Sequence, residues 1–463
     1  MEFYSIIIIL LAVAVGLSPI ATKIKLPYPV LLLLAGIGVG FIPGFHGVGI
    51  NPEVAFLIFL PPMLYDAAYN IHFKGFVSNI STISALAITL VFVTTAAIAT
   101  TVHFTIGLSW QLSFVLGAIL SPPDAVAAAS ATKGLGLPQR TNIVLEGESL
   151  INDASALVAF RFAVAAVAGS TFVFWQAGIS FVITLAGGFL IGLGISAVFV
   201  WLTRKRKLDS NVIVTLHLML PFVAYLIAEN LHVSGVIAVV VAGLMVARRK
   251  NLFSEKTTVQ SKSLWETITF ILNGLIFILI GIEFPHTLQN IPASSILPLT
   301  GCAFLIFAVA LLVRMLVIFE HKASMKKRLE KVKMQFSKPQ HLNMRHRSKP
   351  FLRSAKNIGL SHRIKRRQIP FEQRLHIFET LLLTSKEAIV IGWSGMRGIV
   401  SLASALSLPL LLADGSVFPQ RDTILFLTVV VVILMLVIQG LGLPLLVKVL
   451  KINETEHVVA PDI

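Results

Sequence analysis

Residues 146–155 read Glu146-Gly-Glu-Ser-Leu-Ile-Asn-Asp-Ala-Ser155 and stand inside a long apolar segment. A charged side chain at the centre of a membrane helix costs roughly 2.5–3.5 kcal/mol on insertion scales. If the stretch is helical, Glu148, Asn152 and Asp153 are four or five residues apart and share one face. This face must therefore lie inside the protein, and its acids indicate a functional site.

The surrounding sequence is too apolar for a soluble protein. Of the 463 residues, 56% are hydrophobic and only 13% are charged, and the mean hydropathy is +0.86. This composition is typical of a polytopic membrane protein. The net charge of +16 does not indicate nucleic-acid binding, because membrane proteins concentrate Lys and Arg in cytoplasmic loops. The single cysteine, Cys302, excludes an internal disulfide and a Cys-based metal cluster.

Apolar runs recur along almost the whole chain, and a run of about 20 residues is long enough to cross about 30 Å of hydrocarbon. The pattern predicts an all-α polytopic protein with thirteen transmembrane helices. The predicted spans are Phe3–Ala21, Tyr28–Pro43, Glu53–Asn70, Ile80–His103, Gln111–Thr132, Ile143–Gly169, Phe174–Thr203, Val212–Glu229, Val233–Ala247, Leu264–Phe284, Ile296–Phe319, Glu387–Leu412 and Ile424–Leu446.

The positive charges alternate between the two sides of the predicted membrane. Loops after odd-numbered spans contain Lys and Arg, whereas those after even-numbered spans contain none except Arg421. The positive-inside rule then places the N-terminus outside and the C-terminus in the cytoplasm. We expect a multi-pass protein of the bacterial plasma membrane that contacts membrane lipids and does not bind nucleic acid.

The charge pattern divides the chain into four parts. Residues 1–319 contain spans 1–11, residues 320–386 form a basic cytoplasmic loop, residues 387–450 contain spans 12 and 13, and residues 451–463 form a short cytoplasmic tail. The basic loop is interpreted either as an amphipathic element that binds anionic lipid or regulates transport, or as a flexible basic linker.

Two spans contain helix breakers at corresponding positions. In the fifth span, Ser121-Pro-Pro-Asp124 removes two backbone donors, so the helix must break near Ser121. The twelfth span, seven spans later, contains Gly392, Gly395 and Gly398. Because an odd number of spans separates the fifth span from the twelfth, the two broken spans cross the membrane in opposite directions. The sequence therefore predicts inverted repeats with two discontinuous helices, an architecture common among secondary transporters.

A candidate cation site follows from the first break. Asp124 stands at the break and Asp153 on the following span. A broken helix leaves carbonyl and amide groups free, and two carboxylates beside them form a hard oxygen site for Na⁺ or a proton rather than for Zn²⁺. Alternatively, Asp124 only caps the break. Asp66, which follows Pro61 and Pro62, is either an accessory cation ligand or a solvated acid at the interface.

Three arginines lie within apolar spans. Arg314 and Arg397 are deep enough that each needs an anion, and Glu148 is the obvious buried partner. Such an ion pair would neutralise both groups and leave the two aspartates for transport. Arg161 lies two turns beyond Asp153, where we expect it either to snorkel to the interface or to form a local pair.

At these residues the chain resembles the monovalent cation:proton antiporter family, in particular its branch of electroneutral sodium/proton exchangers. The most specific part is Gly147–Asp153, which has the sequence Gly-Glu-Ser-Leu-Ile-Asn-Asp. Leu60-Pro-Pro followed by Asp66, the Arg314 span and Gly395-Met-Arg-Gly398 support the resemblance. It covers nearly all thirteen spans apart from the basic insert.

The resemblance implies that Asp153 is the essential carboxylate for cation and proton, with Asp124, Ser149 and Asp66 as co-ligands of the transported Na⁺. It implies that Asn152 orients the site, and that exchange is one-for-one because Asn rather than Asp precedes Asp153. It also implies a homodimer in which a core domain moves like an elevator. No cofactor is expected beyond the transported Na⁺ and H⁺.

Two points of the resemblance stay open. It pairs Glu148 with either Arg314 or Arg397. The family's usual Thr-Asp-Pro at the fifth-span break is replaced here by Pro123-Asp124-Ala125. This change removes a Thr hydroxyl from the break, so the choice between Na⁺, Li⁺ and K⁺ is not fixed.

The function expected from the sequence is secondary active exchange of Na⁺ or Li⁺ for H⁺ by alternating access, in the service of pH homeostasis and without enzymatic activity. Exchange of K⁺ for H⁺ is an alternative. From other classes, an intramembrane aspartyl protease would use a Gly-x-Gly-Asp environment, which neither Asp124 nor Asp153 has. A cation channel would conduct many ions without coupling to protons.

Overall fold

The computed structural model describes residues 3–24, 27–42, 52–124, 139–169, 174–205, 208–337, 384–412 and 415–450. Within these ranges the protein forms fourteen α-helices, and a short 3-10 helix spans Lys250–Leu252. The α-helices are α1 Phe3–Ile24, α2 Tyr28–Gly40, α3 Pro52–Asn70, α4 Phe73–Ile106, α5 Trp110–Leu120, α6 Gln139–Val167, α7 Phe174–Lys205, α8 Ser210–Asn230, α9 Gly235–Ala247, α10 Glu255–Gln289, α11 Ala293–Ser337, α12 Ser385–Trp393, α13 Ile399–Leu406 and α14 Arg421–Leu450.

Each of the thirteen predicted spans contains at least one of these helices, although residue 43 of the second span and residues 125–132 of the fifth lie outside the described residues. Among the described residues, seven helices are long and apolar enough to cross a membrane, and four more are shorter but apolar. Helix α3 corresponds to the third predicted span, and the pair α12 and α13 corresponds to the twelfth. The prediction of an all-helical polytopic architecture is confirmed.

Helix α11 extends well beyond the predicted eleventh span. The predicted span ends at Phe319, whereas the helix continues to Ser337. Residues 320–337 contain no Gly or Pro and are rich in strong helix formers such as Lys, Arg, Met, Leu and Glu. The first part of the predicted basic loop is therefore helical. Its remainder up to residue 383, and the predicted tail, lie outside the described residues.

Side-chain caps fix the starts of the two helices that enter the predicted breaks. The N–H of Leu112 donates to Ser109 Oγ at 3.4 Å before α5. At α12, the N–H of Glu387 donates to Thr384 Oγ1 at 3.1 Å, and the N–H of Thr384 donates to Glu387 Oε2 at 2.7 Å. This reciprocal pair is a capping box. Both helices therefore begin at positions that their sequences specify locally.

Helices α5 and α12 both end inside the protein, at Leu120 and Trp393. Pro122 and Pro123 prevent α5 from continuing, and residues 394–398 are non-helical between α12 and α13. Residues 121–124 and 394–398 lie against each other and are called the crossing below. The predicted break is confirmed in both spans, with a helix on each side of it in the twelfth; the part of the fifth span after residue 124 lies outside the described residues.

The helices around the crossing pack mostly against one another, and α13 and α14 also contact a second group of helices. Helix α6 packs mainly against α4 and α5, while α11 packs against α4, α12 and α14. In the second group, α2 packs along α10, and α9 packs against α3, α7 and α8. The backbones of α2 and α10 touch, because a side-chain carbon at Gly36 would collide with the Ile278 carbonyl, and one at Gly281 with the Leu33 carbonyl.

Candidate functional site

The two helix breaks supply hydrogen bonds to each other's backbone. The N–H of Asp124 donates to the Met396 carbonyl oxygen at 2.6 Å. In return, Arg397 Nε donates to the Leu120 carbonyl oxygen at 2.6 Å, and its Nη2 donates to the Ser121 carbonyl oxygen at 3.5 Å. The last turn of a helix leaves carbonyls without intrahelical partners. Arg397 donates to two of the carbonyls at the end of α5, so hydrogen bonds in both directions hold the two breaks together.

The Asp124 carboxylate faces the start of α13. Its Oδ2 accepts a hydrogen bond from the N–H of Ile399 at 3.2 Å. A helix N-terminus favours a nearby negative charge because its N–H groups lack partners and the helix dipole is positive there. A side-chain carbon at Gly398 would collide with this same oxygen. Asp124 thus makes the capping contact through one oxygen, and only glycine at 398 leaves room for it.

Replacement of Gly398 with Ala is expected to push Asp124 away from α13 and loosen the crossing. Overpacking of a close contact typically costs about 1–3 kcal/mol, so the variant should unfold at a lower temperature than the wild type. Thermal unfolding of the purified protein in detergent measures this. Gly38→Ala is the matched control, because nothing lies within 4 Å of the added carbon there. If Gly398→Ala unfolds at the same temperature as the wild type, the close contact between position 398 and Asp124 is contradicted.

Asp153 lies on α6 beside the crossing. Ser149, one turn earlier, donates from Oγ to the Pro123 carbonyl oxygen at 3.0 Å and so holds this face of α6 against the break. Asp153 is 8% exposed, and its Oδ1 has no hydrogen-bond partner among the described residues. Its charge interacts unfavourably with that of Asp124. A buried carboxylate oxygen without a partner is costly, and a bound cation or proton would remove that cost.

Glu148 and Arg314 form a buried ion pair behind this face. Arg314 Nη1 lies 2.7 Å from Glu148 Oε1, and both residues are almost completely buried. Arg314 Nε also donates to the Ile391 carbonyl oxygen at 3.1 Å, and Asn152 Nδ2 donates to Glu148 Oε1 at 3.1 Å. The pair joins α6, α11 and α12, so it links the helix of Asp153 to one half of the broken span.

Arg397 is held differently from Arg314. Sequence reasoning expected an anion for each arginine, but the hydrogen bonds of Arg397 go to carbonyl oxygens. Besides its bonds to α5, its Nη1 donates to the Gly395 carbonyl oxygen at 2.7 Å. Unpaired carbonyls at a helix C-terminus carry partial negative charge. They take the place that a carboxylate was expected to fill.

Asp66 belongs to another group of side chains. Its Oδ1 accepts from Asn70 Nδ2 at 2.6 Å, and its Oδ2 accepts from Thr269 Oγ1 on α10 at 3.0 Å. Lys250 lies nearby with its Nζ 3.9 Å from the centroid of the Tyr69 ring. Burial lowers the pKa of the Lys250 ammonium, although the Asp66 carboxylate opposes this shift. These contacts lie on α3, α10 and the segment after α9, so they do not bring Asp66 to the crossing.

Arg161 forms a local pair near the end of α6. Its Nη1 donates to both carboxylate oxygens of Glu229 on α8, at 2.8 and 2.9 Å, and its Nη2 donates to the Tyr225 hydroxyl at 2.9 Å. Sequence reasoning considered a local pair for Arg161 but did not identify its partner. The available signal was that Arg161 and Glu229 are isolated charges near the ends of spans 6 and 8, which the charge pattern places on the same side.

The chain matches the family model described as "Sodium/hydrogen exchanger, transmembrane" over residues 7–337 and 375–449. It is 30% identical to an uncharacterized Na(+)/H(+) exchanger of Mycobacterium tuberculosis, over 97% of this chain and 74% of that protein. It is 32% identical to a sodium, potassium, lithium and rubidium/H(+) antiporter of Bacillus pumilus, over 96% of this chain and 61% of that protein.

The arrangement of the helices is similar to that of a solved structure. The sodium proton antiporter of Methanocaldococcus jannaschii at pH 8 superposes with a TM-score of 0.67, covering 96% of this chain and 98% of that one. The two sequences are 17% identical. At this identity the match shows a shared fold.

Proposed function

The chain belongs to the sodium/hydrogen exchanger family, and we propose from this premise that it exchanges Na⁺ for H⁺ at the carboxylate of Asp153. The observation that carries the proposal is the buried Asp153 Oδ1, which has no hydrogen-bond partner among the described residues. One carboxylate binds either a cation or a proton, so the two compete. Alternating access of the site to the two sides of the membrane then converts competition into exchange.

The ligands beside Asp153 are oxygen atoms, which suit a hard monovalent cation. Asp124 interacts electrostatically with Asp153, and Ser149 hydrogen-bonds with the break at Pro123. Asp124 and Ser149 therefore serve as co-ligands. Asp66, with its separate partners, acts along the path by which the cation enters rather than at the crossing.

The remaining polar residues of the site neutralise and orient it. Arg314 cancels the charge of Glu148, while Asn152 donates to the same carboxylate and adds no charge of its own. Only the aspartates are then left to bind the transported ions. One Na⁺ exchanges for one H⁺, because Asn152 stands where a second acid would add a second titrating group.

The placement in the cell follows from the charge pattern and the family. The protein lies in the bacterial plasma membrane with its N-terminus outside and its C-terminus in the cytoplasm, because Lys and Arg are concentrated in the loops after odd-numbered spans. It acts as a homodimer, contributes to pH homeostasis, and moves its crossing helices relative to the second group of helices. The narrow α6 contacts with that group support such a movement.

Exchange of K⁺ is the second candidate. A relative of 32% identity is named as an antiporter of sodium, potassium, lithium and rubidium. In this chain the break reads Pro123-Asp124-Ala125 and offers no Thr hydroxyl. A site with fewer fixed ligands discriminates less between cations of different size. K⁺ transport is therefore measurable, although it is weaker than that of Na⁺ and Li⁺.

Everted membrane vesicles with a preset pH gradient test the proposal. Addition of Na⁺ or Li⁺ should collapse the gradient, and K⁺ should do so only at higher concentration. The rate should not change when the membrane potential is clamped to zero, because one-for-one exchange moves no net charge. Vesicles without the protein are the control. A gradient that survives all three cations would contradict exchange, and a rate that follows the potential would contradict the one-for-one ratio.

A further inference from the structure

A cavity of about 340 Å³ lies at the end of α6 beyond Asp153. One wall is the last part of α6, and the other is the segment that follows α13. Side chains on these two walls include Phe160, Arg161, Val164, Ser407, Pro409 and Leu412. Both walls thus continue elements that belong to the candidate site.

The cavity lies on the face of α6 that carries Asp153. Leu157 and Phe160 follow Asp153 by four and seven residues, so all three share one helical face. Leu157 and Phe160 are 1% and 5% exposed, and Phe160 lines the cavity. Arg161 is eight residues from Asp153, or about 12 Å along the helix axis. The cavity therefore lies along the same helical face as the site, toward the end of α6.

Arg161 is the one charged side chain among the residues that line the described cavity. Its bidentate contact with Glu229 compensates its charge, although the two side chains are still 37% and 32% exposed. Glu229 is itself fixed, because its Oε1 accepts a hydrogen bond from the N–H of Gly235 at 3.0 Å. A side-chain carbon at Gly235 would collide with Glu229 and Tyr225. The acid is thus built into the turn between α8 and α9.

We propose that this cavity is the outer vestibule for hydrated monovalent cations, and that Glu229 is a functional residue of exchange because it neutralises Arg161 there. The inference rests on the proposed function, that is, on exchange at Asp153 with the N-terminus outside. The vestibule is outer because α6, α8 and the segment after α13 lead into loops that carry no Lys or Arg except Arg421. Without the Glu229 carboxylate, the positive charge of Arg161 would repel cations that pass it more strongly.

Charge-neutral variants of the pair test the proposal. Each is measured in proteoliposomes as Na⁺-driven H⁺ movement at varied outer Na⁺ concentration. Gln at position 229 keeps an oxygen for the Gly235 N–H but removes the negative charge that faces Arg161. Glu229→Gln should therefore raise the half-saturating Na⁺ concentration by about tenfold at low ionic strength, with a maximal rate within about twofold of wild type.

Whether the half-saturating Na⁺ concentration rises or falls should depend on which charge of the Arg161–Glu229 pair is removed. Arg161→Gln leaves Glu229 alone and should lower the half-saturating Na⁺ concentration by about threefold. The double variant Arg161→Gln, Glu229→Gln should return it to within about twofold of wild type. Choline chloride at about 1 M, which shortens the screening length to about 3 Å, should weaken both single effects. A purely structural role of the pair would produce neither the sign reversal nor the salt dependence.

Glu283→Gln is the matched control. Glu283 Oε1 lies 3.8 Å from Arg421 Nη1, also near the predicted outer side, but neither residue lines the cavity. Its half-saturating Na⁺ concentration should equal that of wild type. An unchanged value for Glu229→Gln, or a double variant as impaired as Glu229→Gln, would overturn the vestibule while leaving exchange at Asp153 intact. A wild-type protein without Na⁺-driven H⁺ movement would instead overturn the proposed function, and this inference with it.

Discussion

Replacement of Asp153 with Asn abolishes exchange: Na⁺-driven H⁺ movement should fall at every pH to the level of vesicles without the protein. Asn is close to Asp in size but binds no proton and carries no negative charge for a desolvated cation. A unit charge about 4 Å from a cation contributes roughly 4 kcal/mol at an effective dielectric constant of about 20. Its loss therefore corresponds to more than about a hundredfold in cation binding.

The control for this variant is Asp209→Asn. Asp209 is an exposed acid before α8, and its side chain makes no cap hydrogen bond. The Asp209→Asn protein should exchange Na⁺ for H⁺ at the wild-type rate. Both proteins should unfold at or near the wild-type temperature, since Asp153→Asn removes a buried charge and keeps an oxygen that can accept from Ser149, and the Asp209 side chain makes no cap hydrogen bond. If vesicles with Asp153→Asn still collapse a pH gradient on addition of Na⁺, the transport role belongs to another residue.

The transmembrane architecture was predictable because its causes are local. Each span needs enough apolar residues to cross the hydrocarbon, and Pro122-Pro123 breaks a helix wherever it occurs. The break in span 12 was visible as three glycines, and the family resemblance, which the family model confirms, named the fold that joins the two breaks. Helix α11 was predicted too short, because the charges after Phe319 were interpreted as a loop although the residues favour a helix.

The partners within the site were not predictable, because they depend on which helices meet. Arg314 and Arg397 are both isolated cations in apolar spans, and nothing in the sequence distinguishes them as partners of Glu148. The difference arises in three dimensions. Arg397 reaches the unpaired carbonyls of α5, whereas Arg314 reaches the carboxylate. Glu229 was missed for the same reason, since it pairs with a residue 68 positions earlier in the chain.

These contacts divide α6 into two functional parts. The charge of Glu148 is neutralised by Arg314, and Asn152 donates to the same carboxylate oxygen, so Glu148 links α6 to α11 and α12. Asp153, a little more than one turn later, keeps an oxygen without a partner among the described residues. A site that must bind and release an ion needs both properties. Its binding carboxylate has to be available, while its neighbours have to hold their positions without competing for the ion.

Removal of Arg314 alone should severely destabilise the protein. Breaking a buried ion pair by deleting one partner typically costs about 3–5 kcal/mol, because the other charge stays buried and uncompensated. Arg314→Met is expected to yield little folded protein, and its thermal unfolding in detergent should begin far below that of wild type. Arg421→Met is the matched control. Arg421 pairs with Glu283 at 3.8 Å in a more exposed position, so its loss should cost under about 1 kcal/mol.

The double variant Glu148→Gln, Arg314→Met separates stability from transport. It removes both charges together, and Gln keeps an oxygen that can accept from Asn152. Replacement of a whole buried ion pair by neutral groups is often close to neutral in stability, so most of the lost unfolding temperature should return. Because Asp153 and Asp124 are untouched, the rescued protein should also exchange Na⁺ for H⁺. A double variant that folds but does not exchange would instead place the Glu148 charge in the transport step itself.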